Sequence, residues 1–122
     1  MEIIAQILIG LVAFLHFYFM ILEMFYWTKP RGRKAFGLSQ EDAEQSKVLA
    51  ANQGLYNGFL SAGLVWSLID STYGDAIAIF FLICVTLAGI YGSYSTKKSK
   101  IFYIQALPAI LALLLIVLKS KF

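Results

Sequence analysis

Four long apolar stretches, joined by short polar connections, constrain this chain more than any other feature. They run from about Ile3 to Trp27, Val48 to Ile69, Ala76 to Tyr94 and Ile101 to Leu118. Each is close to the roughly 20 residues a helix needs to cross bilayer hydrocarbon at about 1.5 Å rise per residue. The runs are continuous rather than alternating, and an open sheet leaves backbone groups unpaired in lipid, so strands are not expected. Composition agrees: 60% of the 122 residues are hydrophobic and 14% charged, with mean hydropathy +0.75. A soluble domain of this length exposes a large share of its residues and needs a more polar surface. The expected fold is all-α: a four-helix transmembrane bundle, one integral membrane domain over 1–122, with helices at about 3–27, 40–69, 76–94 and 101–118.

The first stretch does not read as a signal peptide. Glu2 stands where a basic segment belongs, the apolar run is too long, and no small-residue cleavage site follows. A retained helix is expected. In the longest connection, "SQED" (Ser39 to Asp42) has capping-box form, a hydroxyl followed three residues on by a carboxylate. The second helix is therefore expected to start near Gln40, outside the bilayer, and to enter lipid after Lys47. Lys29, Arg31, Arg33, Lys34 and Lys47 lie in or flank the first connection, and Lys97, Lys98 and Lys100 lie in the third. The second connection carries Asp70 and Asp75 and no base. Positive-inside bias puts the first and third connections in the cytoplasm and both termini outside, against a weaker opposite pull from Lys119 and Lys121.

The stretches "LEMFYW", "TKPRGRKAFGL" (Thr28 to Leu38) and "KVLAANQGLYNGF" (Lys47 to Phe59) resemble a family of small bacterial integral membrane proteins known as a domain of unknown function. The resemblance spans nearly the whole chain. It implies four transmembrane helices in the bacterial cytoplasmic membrane, and it brings no activity, substrate or catalytic residue. Function has to come from the residues themselves.

Two ionisable groups interrupt the first apolar run. His16 and Glu23 are seven residues apart, so they share one helix face two turns from each other, and Met20 and Trp27 continue the stripe. In the expected topology His16 lies near the bilayer centre and Glu23 roughly 10 Å nearer the cytoplasm. On the second helix Asn52, Gln53, Tyr56 and Asn57 fall within one arc of about 140°. Each would cost about 1–3 kcal/mol if left unpaired in lipid, so the arc must face protein or water. Gly54 and Gly58 run beside it in GxxxG spacing, a ridge for close helix packing and for self-association of copies. Tyr91 on the third helix and Gln105 on the fourth reach the same inner half, and Pro108 interrupts the fourth helix's hydrogen bonding. These residues are expected to line an inner-leaflet polar pocket, with Glu23 as a candidate proton carrier. The bland alternatives are an interfacial Glu23 paired with a nearby base and a His16 bonded to helix two.

One histidine and one cysteine, Cys84, leave no metal site and no intramolecular disulfide, and no cofactor is expected. The run Lys29, Arg31, Arg33 and Lys34 fits anionic lipid headgroups better than nucleic acid, at about 1 kcal/mol per basic side chain. No phosphate loop, nucleophile elbow or nucleotide fingerprint is present. The leading functional expectation is binding or transport of a small lipophilic molecule, coupled to a proton on Glu23. One alternative is a membrane enzyme of isomerase or epimerase type acting on a lipid or isoprenoid, with His16 and Glu23 as acid and base. Another is a non-catalytic accessory subunit.

Overall fold

The computed structural model describes residues 1–121; Phe122 and the side chains of Ser120 and Lys121 lie outside the described residues. Every regular element among the described residues is helical. In order they are α1 (Ile3–Phe25), α2 (Pro30–Phe36), α3 (Gln40–Ile69), α4 (Gly74–Thr96), a short α5 (Ser99–Ile101), a π-helical turn (Phe102–Ala106) and α6 (Leu107–Lys121). Three helical stretches are long and apolar enough to cross a membrane: Ile3–Phe25, Gly74–Thr96 and Ser99–Lys119. The sequence-based count was four. α3 falls short although it is the longest helix, at 30 residues, because charges crowd its first turns and amides and hydroxyls its middle.

Local chemistry sets the helix ends. Ser39 Oγ accepts the Asp42 backbone N–H at 3.1 Å, so the hydroxyl caps α3 at its first turn. α1 stops at Phe25, short of Trp27, and Pro30 opens α2, an element that the sequence reading left as connection. Gly37 closes α2 in the left-handed region, at φ 65°. Between α3 and α4, Asp70 Oδ1 accepts the N–H groups of Tyr73 (2.6 Å) and Thr72 (3.0 Å). Those bonds, Tyr73 foremost, hold the Asp70 carboxyl below its usual pKa.

Buried residues recur on α1 at Ala5, Ile9, Val12, His16 and Glu23, and on α3 at Ala50, Gly54, Asn57, Ser61 and Leu64. Steps of four and three alternate along both series, apart from one seven-residue gap on α1. This is the 3.5-residue spacing that keeps one seam in contact along a helix. α1 and α3 each run through two compact units.

The first unit comprises Met1–Phe14 and the chain from Leu60 onward. Its core is small and aliphatic: Ala5, Ile9, Val12 and Ala13 of α1, Leu64 of α3, Ala78, Leu82 and Val85 of α4, and Ala109, Ala112 and Ile116 of α6. Ser61 Oγ donates across to the Ala13 carbonyl at 2.8 Å. The amino group of Met1 lies 3.9 Å from Asp75, and Lys119 Nζ 3.9 Å from Glu2. These contacts gather the start of α1, the start of α4 and the end of α6 at one end of the unit. In the π turn the Leu107 N–H donates to the Phe102 carbonyl, five residues back. Pro108 next to it has no N–H to give, so the chain absorbs the missing donor by widening one turn. Ala106 is buried there, and a Cβ added to Gly89 would stand 2.8 Å from its nitrogen.

The second unit, Leu15–Phe59, holds the end of α1, all of α2 and the start of α3. Trp27 ties its helices together. The indole N–H donates to Ser46 Oγ of α3 at 3.0 Å, and the ring lies 4.9 Å from that of Phe36 on α2. α2 is pressed so closely on the end of α1 that a Cβ on Gly32 would come within 2.0 Å of the Tyr26 carbonyl oxygen. That backbone cannot yield cheaply, so Gly32→Ala is expected to lift α2 at a cost of about 1–3 kcal/mol. Limited trypsin digestion in detergent reads this as faster cutting after Arg31 and Arg33. Equal rates in variant and wild type would show that α2 is not held by this contact.

Candidate functional site

Glu23 lies in the second unit, 2% exposed, on the seam of α1. Its partner is Asn57 of α3, itself 9% exposed, whose Nδ2 donates to Glu23 Oε1. The Gln53 amide, one turn earlier on α3, approaches the same carboxyl. Two glycines make this reach possible for so short a side chain. A Cβ on Gly54 would stand 2.8 Å from Met24 Cγ, 3.0 Å from Glu23 Cβ and 3.2 Å from the Met20 carbonyl oxygen. A Cβ on Gly58 would stand 2.7 Å from Met20 Sδ. Side chains of α1 therefore seat directly on bare α3 backbone, and Asn57 between the two glycines meets the carboxyl directly.

His16 is 1% exposed and packs edge-on against Phe19, with ring centroids 5.5 Å apart. It occupies the seam position one heptad before Glu23. The site at Glu23 thus joins a carboxyl to a carboxamide, with an imidazole two turns along the same helix. Asn57 suits either protonation state of the carboxyl, because an amide carries both donors and an acceptor.

The 140° arc of α3 does not act as one wall. Asn57 faces Glu23, whereas Asn52 and Tyr56 lie on the exposed side. Asn52 donates back to the Val48 carbonyl at 2.9 Å, and Tyr56 packs beside Phe59. Asn57 and Gln53 thus reach the Glu23 carboxyl, and Asn52 and Tyr56 do not. The reason is phase: the α3 seam runs through residues 50, 54, 57 and 61, so only the far edge of the arc meets α1. Tyr91 on α4 and Gln105 in the π turn belong to the first unit, where Tyr91 is exposed and Gln105 half-buried.

Two open grooves mark the surface. One is lined by Ser93, Tyr94, Lys97, Ser99, Phe102 and Tyr103, the other by Pro30, Arg33, Lys34, Gly37 and Leu38. Of the basic run, Lys29, Arg31 and Lys34 are exposed and Arg33 is half-buried. The Lys29 ammonium lies 5.7 Å over the Tyr26 ring. Sequence reasoning missed the Trp27–Ser46 bond and the second groove. Pro30 and Gly37, bracketing seven residues, were the available signal for the helix behind that groove. Among the described residues, no group of three or more His, Cys, Asp or Glu side chains could hold a metal ion.

Residues 10–117, which include every residue of the Glu23 site, match the family described as Protein of unknown function (DUF1304). The chain belongs to the DUF1304 family. It is similar to the uncharacterised protein YpaA of Lactococcus lactis subsp. lactis (strain IL1403), at 38% identity over 116 residues. That alignment covers 93% of this chain and 97% of the relative. No solved structure matches the chain.

The pairing in this DUF1304 protein makes a stability prediction. Asn57→Leu strips a buried carboxyl of its donor and is expected to cost about 1–3 kcal/mol. Glu23→Gln keeps an acceptor for Asn57 and is expected to change stability by less than about 1 kcal/mol. Replacing both, Glu23→Met with Asn57→Leu, removes the unmet polar group and should recover most of the loss. Thermal unfolding in detergent checks all three. Additive losses in the double variant would mean that the two side chains are not coupled.

Proposed function

We propose that the chain is a multi-pass protein of the bacterial cytoplasmic membrane that binds or moves a small lipophilic molecule, with Glu23 as its proton-binding group. The reading takes the chain as one membrane domain with four crossings. α3 is the fourth span, entering lipid after Lys47, and both termini face outward. Support for α3 comes from how its polar groups are used. Asn57 bonds to Glu23, Ser61 to the Ala13 carbonyl and Ser67 to the Leu64 carbonyl. Hydropathy counts such residues against a span, but hydrocarbon penalises polar groups chiefly when they lack partners. The ion pairs that bring Met1 and Lys119 to one end of the first unit fit an even number of crossings. Sidedness follows from the basic first and third connections.

The single observation that carries the functional reading is a buried Glu23 whose partner is a neutral amide rather than a base. An ionisable group at membrane depth, facing the protein interior, is by default a functional one. Asn57 accommodates Glu23 with or without its proton, so a proton can come and go without breaking the helix contact. His16 supplies a second titratable group on the same seam. Tight packing at Gly54 and Gly58 favours a second reading, in which the pair only clamps α1 to α3 in a non-catalytic membrane subunit.

Two measurements test these statements. Infrared difference spectroscopy of the protein in liposomes, stepped in pH, is expected to show a carboxylic C=O band that vanishes in Glu23→Gln. Ethidium binding, followed by fluorescence polarisation, is expected to depend on pH in the wild type and not in Glu23→Gln. A pH-independent carboxyl and pH-independent ethidium binding would leave the clamp reading. Separately, a reporter fused after the C-terminus should report from outside the cell. A cytoplasmic signal would reverse the orientation.

A further inference from the structure

The polar arc of α3 has an outer edge that lies away from α1. At 100° per residue, Gln45, Leu49, Asn52, Tyr56 and Phe59 centre about 150° round the helix from the seam through residues 50, 54, 57 and 61. All five belong to the second unit and all are exposed. They follow one another in steps of four, three, four and three, so α3 carries a second stripe of 3.5-residue spacing. The first stripe is spent on α1, and the second is open.

Asn52 is the informative residue of that stripe. In a chain whose α3 enters lipid after Lys47, it stands roughly 8 Å further along the helix axis. It spends one amide N–H on the Val48 carbonyl at 2.9 Å. The amide oxygen and the second N–H are left for a partner outside this copy, and acyl chains supply none. Around it Leu49, Tyr56 and Phe59 stand 75%, 62% and 56% exposed. The glycine ridge, which spacing alone offers for self-association, is already taken: Gly54 and Gly58 are covered by Glu23, Met24 and Met20 of the same copy.

The geometry points to a pair of chains joined through this outer stripe, α3 against α3 of a second copy, with the two Asn52 amides meeting at a two-fold axis along the membrane normal. A second copy inserted the same way brings its amide to the same depth by symmetry. A carboxamide is its own complement, since the N–H of each can reach the oxygen of the other. One asparagine within a 3.5-spaced apolar stripe is also the arrangement that fixes register and number in paired parallel helices. The five side chains present on the order of 500 Å² per copy, so a symmetric pair buries on the order of 1,000 Å², the size at which specific interfaces begin. Lipid tails would cover Leu49 and Phe59 equally well but would leave Asn52 unmet. The inference rests on α3 being a span and not on proton binding at Glu23.

Oxidative cross-linking of the full chain in bacterial membranes tests this, with single cysteines introduced into a Cys84→Ser background. Leu49→Cys is expected to form a disulfide-linked dimer at least roughly tenfold faster than Phe17→Cys, because thiols held face to face react at a raised effective concentration. Phe17 is a fair control, being 51% exposed on α1 in the same unit. Asn52→Leu added to Leu49→Cys is expected to lower cross-linking roughly three- to tenfold, the worth of an interhelical hydrogen bond in a bilayer. Asn52→Gln keeps the amide and should retain most of it. Equal rates at positions 49 and 17 would mean chance collision and overturn the pair, and an undiminished Asn52→Leu would overturn the part given to the amide. A Leu49→Cys adduct of another mass would give the face to a different protein and overturn pairing with a copy. A membrane-impermeant maleimide separates failure of the span from failure of the pair. It is expected to leave Phe59→Cys unlabelled; labelling would overturn α3 as a span and the pair with it, whereas an unlabelled Phe59→Cys without preferred cross-linking at position 49 would overturn the pair alone. Circular dichroism of each variant separates lost pairing from lost fold.

Discussion

A carboxyl in an apolar helix must meet a donor at its own depth, and only a neighbouring helix can carry one there. Glu23 sets that requirement and Asn57 meets it. Much of the α1–α3 contact in the second unit follows. An asparagine side chain is short, so the backbones must come close. They come close because Gly54 and Gly58 flank Asn57 and leave room for Met20, Met24 and the Glu23 stem. Glycines cost α3 helix propensity, yet these two let its Asn57 amide reach across. The same polar content keeps α3 from reading as a span by hydropathy, so one interaction accounts for both the close contact and the ambiguous helix.

The end of the second unit where α1 passes into α2 is built on a different logic. There the chain uses an aromatic instead of a buried carboxyl. Trp27 offers a large apolar face to Phe36 and a single N–H to Ser46, so one side chain ties α1, α2 and α3 together. Ser46 returns its own proton to the Asp42 carbonyl at 2.7 Å, which leaves its oxygen lone pairs for the indole. α2 is thereby held as a fixed platform whose cationic residues have defined positions.

Sequence reading reached the helical class because continuous apolar runs have few other solutions in lipid. It reached the start of α3 because Ser39 states its role in local chemistry. It did not reach α2, since seven residues with three charges among them carry no apolar periodicity, and Trp27's role depends on residues nine and nineteen positions away. Glu23 and Asn57 were both legible as polar groups that have to face protein or water rather than lipid. Which of four α3 side chains meets the carboxyl was not, because the arc is wider than the seam. Counting from the later buried positions Ser61 and Leu64 would have placed the seam at Asn57 and left Asn52 and Tyr56 outside.

The π turn before Pro108 has a consequence for how α6 is numbered against the core. One such turn holds a residue more than an α turn, so everything beyond it is rotated by about 100° relative to a straight helix. Ala109, Ala112 and Ile116 reach the core from that shifted origin, while Lys100 and Tyr103 are set by the old one. The stretch between Phe102 and Ala106 therefore works as a phase joint. Removing one residue there would not so much shorten the helix as turn its basic, aromatic head around its aliphatic shaft, with the shaft still seated.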